Sequence, residues 1–378
     1  MKLFECQHCG QLLYFENTRC ESCEHRLGYL PSMEVITALE PEGEHWRALA
    51  EPRKRYRFCA NVEHNTCNWL IEADRPDPYC EACRHNRTIP GLGSPENLAR
   101  WRRIESAKHR LFYTIIKLRL PLVTRSEDPD GLAFDFLAED ASPHGPSTPV
   151  MTGHANGLIT INLAEADDVE RERQRTQMGE PYRALLGHFR HEIAHYFWDR
   201  LIAHSPNIGE FRKIFGDERE DYAEALQSHY SNGPPNDWPE RFVTSYASAH
   251  PWEDFAETWA HYLHMVDTLE TARAFRLSVR PKVSKGAEFA TTIDFDPHNT
   301  GMDRIIESWL PLTFAVNSIN RSMGIADLYP FILSPGAIVK LTFIHELIYA
   351  QARRATPASG LKAIVASLRQ NVPGAVGA

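Results

Sequence analysis
The chain has 378 residues, 43% of them hydrophobic and 24% charged, with a formal net charge of -9. These proportions describe a soluble, folded protein with a large core, and the acidic balance argues mildly against nucleic acid or a membrane as partner. No stretch reaches the roughly 18 apolar residues of a membrane-spanning helix, and the opening MKLFEC has no apolar secretory region, so a cytoplasmic setting is expected.

All eight cysteines lie within the first 83 residues, which marks residues 1–85 as a separate module. Cys6, Cys9, Cys20 and Cys23 form two CxxC pairs ten residues apart, and Gly10 can supply the left-handed turn such a knuckle needs. That spacing predicts a zinc ribbon. Cys59, Cys67, Cys80 and Cys83 predict a second four-thiolate zinc site, with a looser first gap. Disulfides are the alternative, but in a reducing compartment such pairs more often hold metal. His64 could replace a thiolate, although four cysteines make it unnecessary. Arg53, Lys54, Arg55 and Arg57 form a short basic run with Tyr56 and Phe58 interleaved. Its ordinary reading is a solvated face rather than a nucleic-acid site.

Residues 86–97 read as a linker ending in a helix start, with Ser94 as cap and Pro95 in the first helical position. Leu98, Trp101, Ile104, Leu111, Phe112 and Ile115 then repeat at helical spacing, interrupted by Lys108, whose stem can lie along the apolar edge. A second domain, residues 98–378, is expected to begin here. Residues 131–137 and 157–163 read as strands, the latter behind the tight-turn pair Asn156-Gly157. The charged residues 165–175 read as a solvated helix.

The stretch Leu185 to Asp199 contains His191-Glu192-Ile193-Ala194-His195, an HExxH sequence. On a helix the two histidines share a face and can offer nitrogens to one zinc ion. Zinc lowers the pKa of a bound water from about 15.7 to about 7, and Glu192 is the candidate base for its proton. Leu185, Leu186, Phe189, Ile193 and Phe197 form the apolar stripe of this helix, and Pro181 suits its start. His188 reads as a satisfied, partly buried histidine. The charged residues 218–230 are expected to be helical; Asp221 and His229 within them have no ligand spacing.

A third ligand must come from further on. The metzincin arrangement is absent, because its third histidine would fall at Leu201. The gluzincin arrangement fits better: a helix starting near Pro251 puts Glu253 and Glu257 on one face, so Glu253 is assigned to the metal and Glu257 to a hydrogen bond that orients a ligand histidine.

HEIAHYFWD, followed by YASAHPWEDFAETWAHYLHM and preceded by cysteine knuckles, resembles the zinc-binding metallopeptidases that carry an N-terminal zinc ribbon. The spacing of Tyr246, Glu253 and Glu257 is similar to that of lethal-factor-type gluzincin peptidases. The resemblance implies that Tyr246 faces the substrate oxyanion, that Glu253 binds zinc and that Glu257 supports a ligand. It departs at Ala194, where glycine is expected. It also implies an α+β, zincin-like domain, mainly helical with a small sheet, in which an edge strand beside the catalytic helix pairs with a peptide substrate. The run 158–163 is the candidate for that strand, with an ordinary core strand as the alternative.

Residues 281–299 read as a loop on the rim of the cleft. Residues 302–321 and 334–353 read as helices, the first kinked or broken at Pro311 and the second started by Ser334-Pro335. His345-Glu346 begins a second apparent HExxH, but Tyr349 occupies its last position. The expectation is therefore a peptide or protein hydrolase with one hydrolytic and two structural Zn2+. The alternative is a binding protein, whose ribbon recruits a protein partner while an inactive peptidase domain serves as scaffold.

Overall fold
The computed structural model describes residues 2–139, 150–178, 184–282 and 289–355. Pro181 lies outside them. The N-terminal segment forms two antiparallel sheets. β1 (Phe4–Glu5) pairs with β2 (Leu12–Leu13) to carry the first knuckle, and a five-stranded meander follows in sequence order: β3 (Arg26–Leu30), β4 (Val35–Glu42), β5 (His45–Ala48), β6 (Arg55–Phe58) and β7 (Leu70–Glu72). The basic run enters β6 at Arg55, and opposite charges and carbonyls occupy it: Lys54 meets Glu72 at 2.7 Å, Arg55 meets Glu42 at 3.1 Å, and Arg57 donates to the carbonyl of Asp77 at 2.6 Å.

Residues 86–97, expected as a linker, contain secondary structure instead. β8 (Asn86–Thr88) is an edge strand of a second sheet of order β10-β11-β9-β8, formed with β9 (Ala133–Leu137), β10 (Gly153–Ala155) and β11 (Leu158–Asn162). β8, β9 and β11 run parallel, and β10 returns antiparallel to β11. Asn156 and Gly157 make that hairpin with positive φ at both positions, 46° and 76°, the geometry a two-residue turn requires. The expected edge strand is thus an inner one. β11 has partners on both sides, and among the described residues β10 is the terminal strand of this sheet.

α1 (Pro95–Lys117) starts at a Ser94 cap whose hydroxyl accepts from the Asn97 amide. Its apolar stripe packs against both halves of the molecule. Phe15 lies 5.5 Å and Tyr29 6.2 Å from Tyr113 of α1, so the cysteine module and α1 share one core. Lys108 does not lie along an edge. It is fully buried, paired with Glu105 at 2.8 Å and bonded to Asn86, because an opposite charge and an amide replace the water its ammonium gives up.

The rest is mainly helical. α2 (Asp168–Met178) is the expected charged helix, but Glu165, just before it, is buried against His188. α3 (Leu185–Trp198) packs closely on the long α7 (Pro251–Ala274), with Phe197 stacked 5.1 Å from Trp259. Between them run α4 (Ile208–Phe215), α5 (Tyr222–Asn232) and α6 (Trp238–Arg241). Within the expected loop 281–299, β13 (Thr291–Thr292) pairs with β12 (Ser278–Val279). α8 (Met302–Ser322) continues through Pro311 without a break. α9 (Pro335–Ala355) starts at Ser334, whose hydroxyl accepts from the Ala337 amide, and is tied to α7 by the buried pair Lys340 and Asp254 at 2.6 Å. None of the helices in the described residues is long and apolar enough to cross a membrane.

Candidate metal centre
Each half of the candidate centre has a local cause. On α3, Phe189, Ile193 and Phe197 bury one stripe completely, which turns His191 and His195 toward α7. On α7, His250 is the cap: its Nδ1 accepts from the Trp252 amide at 3.1 Å and its Nε2 faces the Glu220 carbonyl at 3.2 Å. Both ring nitrogens of His250 are thereby used, and the first turn of α7 places Glu253 opposite α3.

Nε2 of His191 lies 3.0 Å from Oε2 of Glu253, and Nε2 of His195 lies 3.7 Å from its Oε1. Ligand bonds of about 2.0–2.2 Å in a tetrahedral site put donor atoms roughly 3.4 Å apart, so these three groups fit a zinc ion. Behind His191, Nδ1 meets Oε1 of Glu257 at 2.8 Å, and Oε2 of Glu257 accepts the Thr244 hydroxyl at 2.7 Å. A proton on Nδ1 leaves Nε2 with its lone pair toward Glu253, and two facing acceptors need a cation or a proton between them. Burial works to lower the His191 pKa, yet the two carboxylates outweigh it and hold the ring well above the usual imidazole value. Burial likewise opposes ionisation of Glu253, but His195 and His191 hold its carboxyl well below the usual range. His195 is pushed down to about 3, by burial first, and its ring lies 3.9 Å from that of Trp252.

Glu192 is half-buried, and burial pushes its carboxyl up to about 7. The Tyr246 ring stands 6.1 Å from His191, in the short turn Tyr246–Ser248 before α7, and burial raises its phenol pKa. Asp221 caps α5, its carboxylate accepting from the Glu224 amide at 2.9 Å. His229 sets its ring 6.0 Å from Tyr246.

Sequence reasoning missed three neighbours. The Tyr222 hydroxyl donates to Oε1 of Glu253 at 2.8 Å, Trp252 packs on His195, and His154 on β10 lies 5.9 Å from His195. Trp252 could have been found, since it directly precedes Glu253. Tyr222 and His154 stand 31 and 41 residues from their partners, where no spacing rule reaches.

Both cysteine sets converge. Cys6 lies 3.6 Å from Cys23, Cys9 lies 3.6 Å from Cys20, and Cys67 lies 3.7 Å from Cys80, close to the edge of about 3.8 Å for a tetrahedron of zinc–sulfur bonds of about 2.3 Å. None of the eight is in a disulfide. The amides of Gly10 and Glu24 close matching turns on the carbonyls of Cys6 and Cys20, both at 2.9 Å, and both residues have positive φ. In the second set, the amides of Trp69, Cys80 and Cys83 point at the sulfurs of Cys67, Cys59 and Cys80 at 3.4 Å, donors suited to thiolates. His64 stays outside the second set, against Trp101.

A family model described as "putative zinc-binding metallo-peptidase" matches residues 97–347, and one for a zinc-ribbon domain matches residues 3–94. Uncharacterized proteins of Mycobacterium bovis and of two strains of Mycobacterium tuberculosis are each 41% identical over 369 residues, covering 96% of this chain and 100% of theirs. No solved structure matches.

Proposed function
The chain belongs to this zinc-binding metallo-peptidase family, with a zinc ribbon at its N-terminal end, and on that premise we propose that it is a gluzincin-type peptide hydrolase. The observation that carries the reading is the convergence of His191, His195 and Glu253 with Glu257 behind His191. His191, His195 and Glu253 would hold the hydrolytic zinc, and each cysteine set a structural one. When bound, zinc supplies Lewis acidity, polarising a carbonyl and lowering the pKa of a coordinated water toward neutrality.

The chain's own groups do the rest. Glu192, beside the ligand His191 on α3, would take the proton of that water and return it to the leaving amine. Glu257, itself fixed by Thr244, sets the His191 tautomer. Burial keeps the Tyr246 phenol protonated, so that it can donate to a developing oxyanion. β10, the terminal strand of the described sheet and in contact with α3, offers the edge along which a peptide can pair.

The test is cleavage of a peptide library by zinc-loaded protein, followed by Glu192→Gln. The variant is expected to keep its zinc and lose roughly 10²- to 10⁴-fold in rate. Near-wild-type turnover by Glu192→Gln removes that residue from the mechanism; no cleavage by the loaded wild type favours the partner-binding scaffold.

A further inference from the structure
α5 is held to the molecule in an unusual way. No residue along it is buried, and an isolated helix of 11 residues is marginal in water. Its first residue makes the tie. Tyr222 donates its hydroxyl to Oε1 of Glu253 at 2.8 Å, and its ring stands edge-on to Trp252 at 5.8 Å and to His250 at 5.3 Å. Two turns on, His229 brings its ring against Tyr246. Two contacts of this exposed helix therefore fall on the carboxylate of the proposed metal site and on the tyrosine beside it.

The hydrogen bond also sets Glu253. Oε1 accepts the phenol while Oε2 faces His191 at 3.0 Å, so the bond fixes the rotation of the carboxylate and with it which oxygen is presented between the histidines. Without the phenol, Oε1 loses this anchor, and ordering the carboxylate must then come partly out of metal affinity.

We propose that Tyr222 is a positioning residue for Glu253 and that the same hydrogen bond latches α5 over the metal site, so that metal binding and closure of the helix support each other. The proposal rests on the zinc site proposed above. Because coupling between two equilibria is reciprocal, a latch that strengthens zinc binding must itself be strengthened by zinc.

The experiment uses the full chain and zinc itself. Chelator competition measures the affinity of the His191-dependent ion in wild type and in Tyr222→Phe, with His191→Ala as reference, and hydrogen exchange follows the amides of residues 222–232 with and without that ion. Tyr222→Phe is expected to bind this zinc about 10-fold more weakly while keeping the cysteine-bound ions, which report an intact fold. Zinc is expected to slow exchange in α5 of wild type and to leave it unchanged in Tyr222→Phe. Equal or tighter zinc binding by Tyr222→Phe, or wild-type exchange indifferent to zinc, overturns the latch while leaving the metal site standing. A His191→Ala chain that loses no zinc overturns the site and the latch together.

Discussion

At the scale of single residues, the difference between Glu253 and Glu257 is one of contact. Glu253 faces both ring Nε2 atoms, whereas Glu257 touches only the far nitrogen of His191 and is itself anchored by Thr244. Glu253→Gln is therefore expected to lose the proposed hydrolytic zinc under chelator competition, and Glu257→Gln to weaken its binding by about 10- to 100-fold. Equal retention by Glu253→Gln and wild type would point to another third ligand. His261, one turn beyond Glu257, carries a different consequence. Burial pushes it down to about 4 from 6.5, and its Nδ1 meets the Tyr329 hydroxyl at 2.7 Å. Between those two pH values the unfolded chain binds the extra proton, so the stability it contributes is present above pH 6.5 and falls as pH drops toward 4. A shift of this size corresponds to roughly 3 kcal/mol. Melting curves from pH 7 to 4 should show a shallower slope for His261→Gln than for wild type; identical slopes would mean that His261 is not held neutral.

At the scale of elements, what the sequence disclosed followed from periodicity and spacing. HExxH specified one helix face, the two glutamates four apart specified another, and Ser94-Pro95 and Ser334-Pro335 marked helix starts through capping chemistry that is local to the chain. Strand order was not local. Whether residues 158–162 formed an edge or an inner strand depended on where residues 153–155 returned, and short segments such as Asn86–Thr88 carry too few residues to show alternation. Lys108 was misjudged partly for the same reason: Glu105, three residues before it on α1, lay within reach of spacing, but Asn86 meets the ammonium only when β8 docks beside α1. This buried pair gives an element-scale expectation. Lys108→Met leaves the fully buried Glu105 carboxylate without its cation and should cost about 3–5 kcal/mol, while adding Glu105→Leu should recover part of it. Urea melts of the single and double variants measure both, and a double variant less stable than Lys108→Met would contradict this account of the pair.

At the scale of the whole molecule, the cysteine module and the helical body are coupled through α1. His109 of α1 lies 3.6 Å from the sulfur of Cys83, Arg110 meets Glu16 at 2.6 Å, and Phe15 packs on Tyr113. The asymmetry of the cysteines made the module legible as a unit, but its apolar contact face was hidden among ordinary aromatic residues. The proposed hydrolytic zinc lies between α3 and α7, and the two cysteine clusters would hold one ion each. Zinc per chain, measured by elemental analysis on wild type and His191→Ala, tests it most directly. Three groups of ligands predict about three zinc ions in wild type and one fewer in His191→Ala. Two ions in both proteins would contradict it.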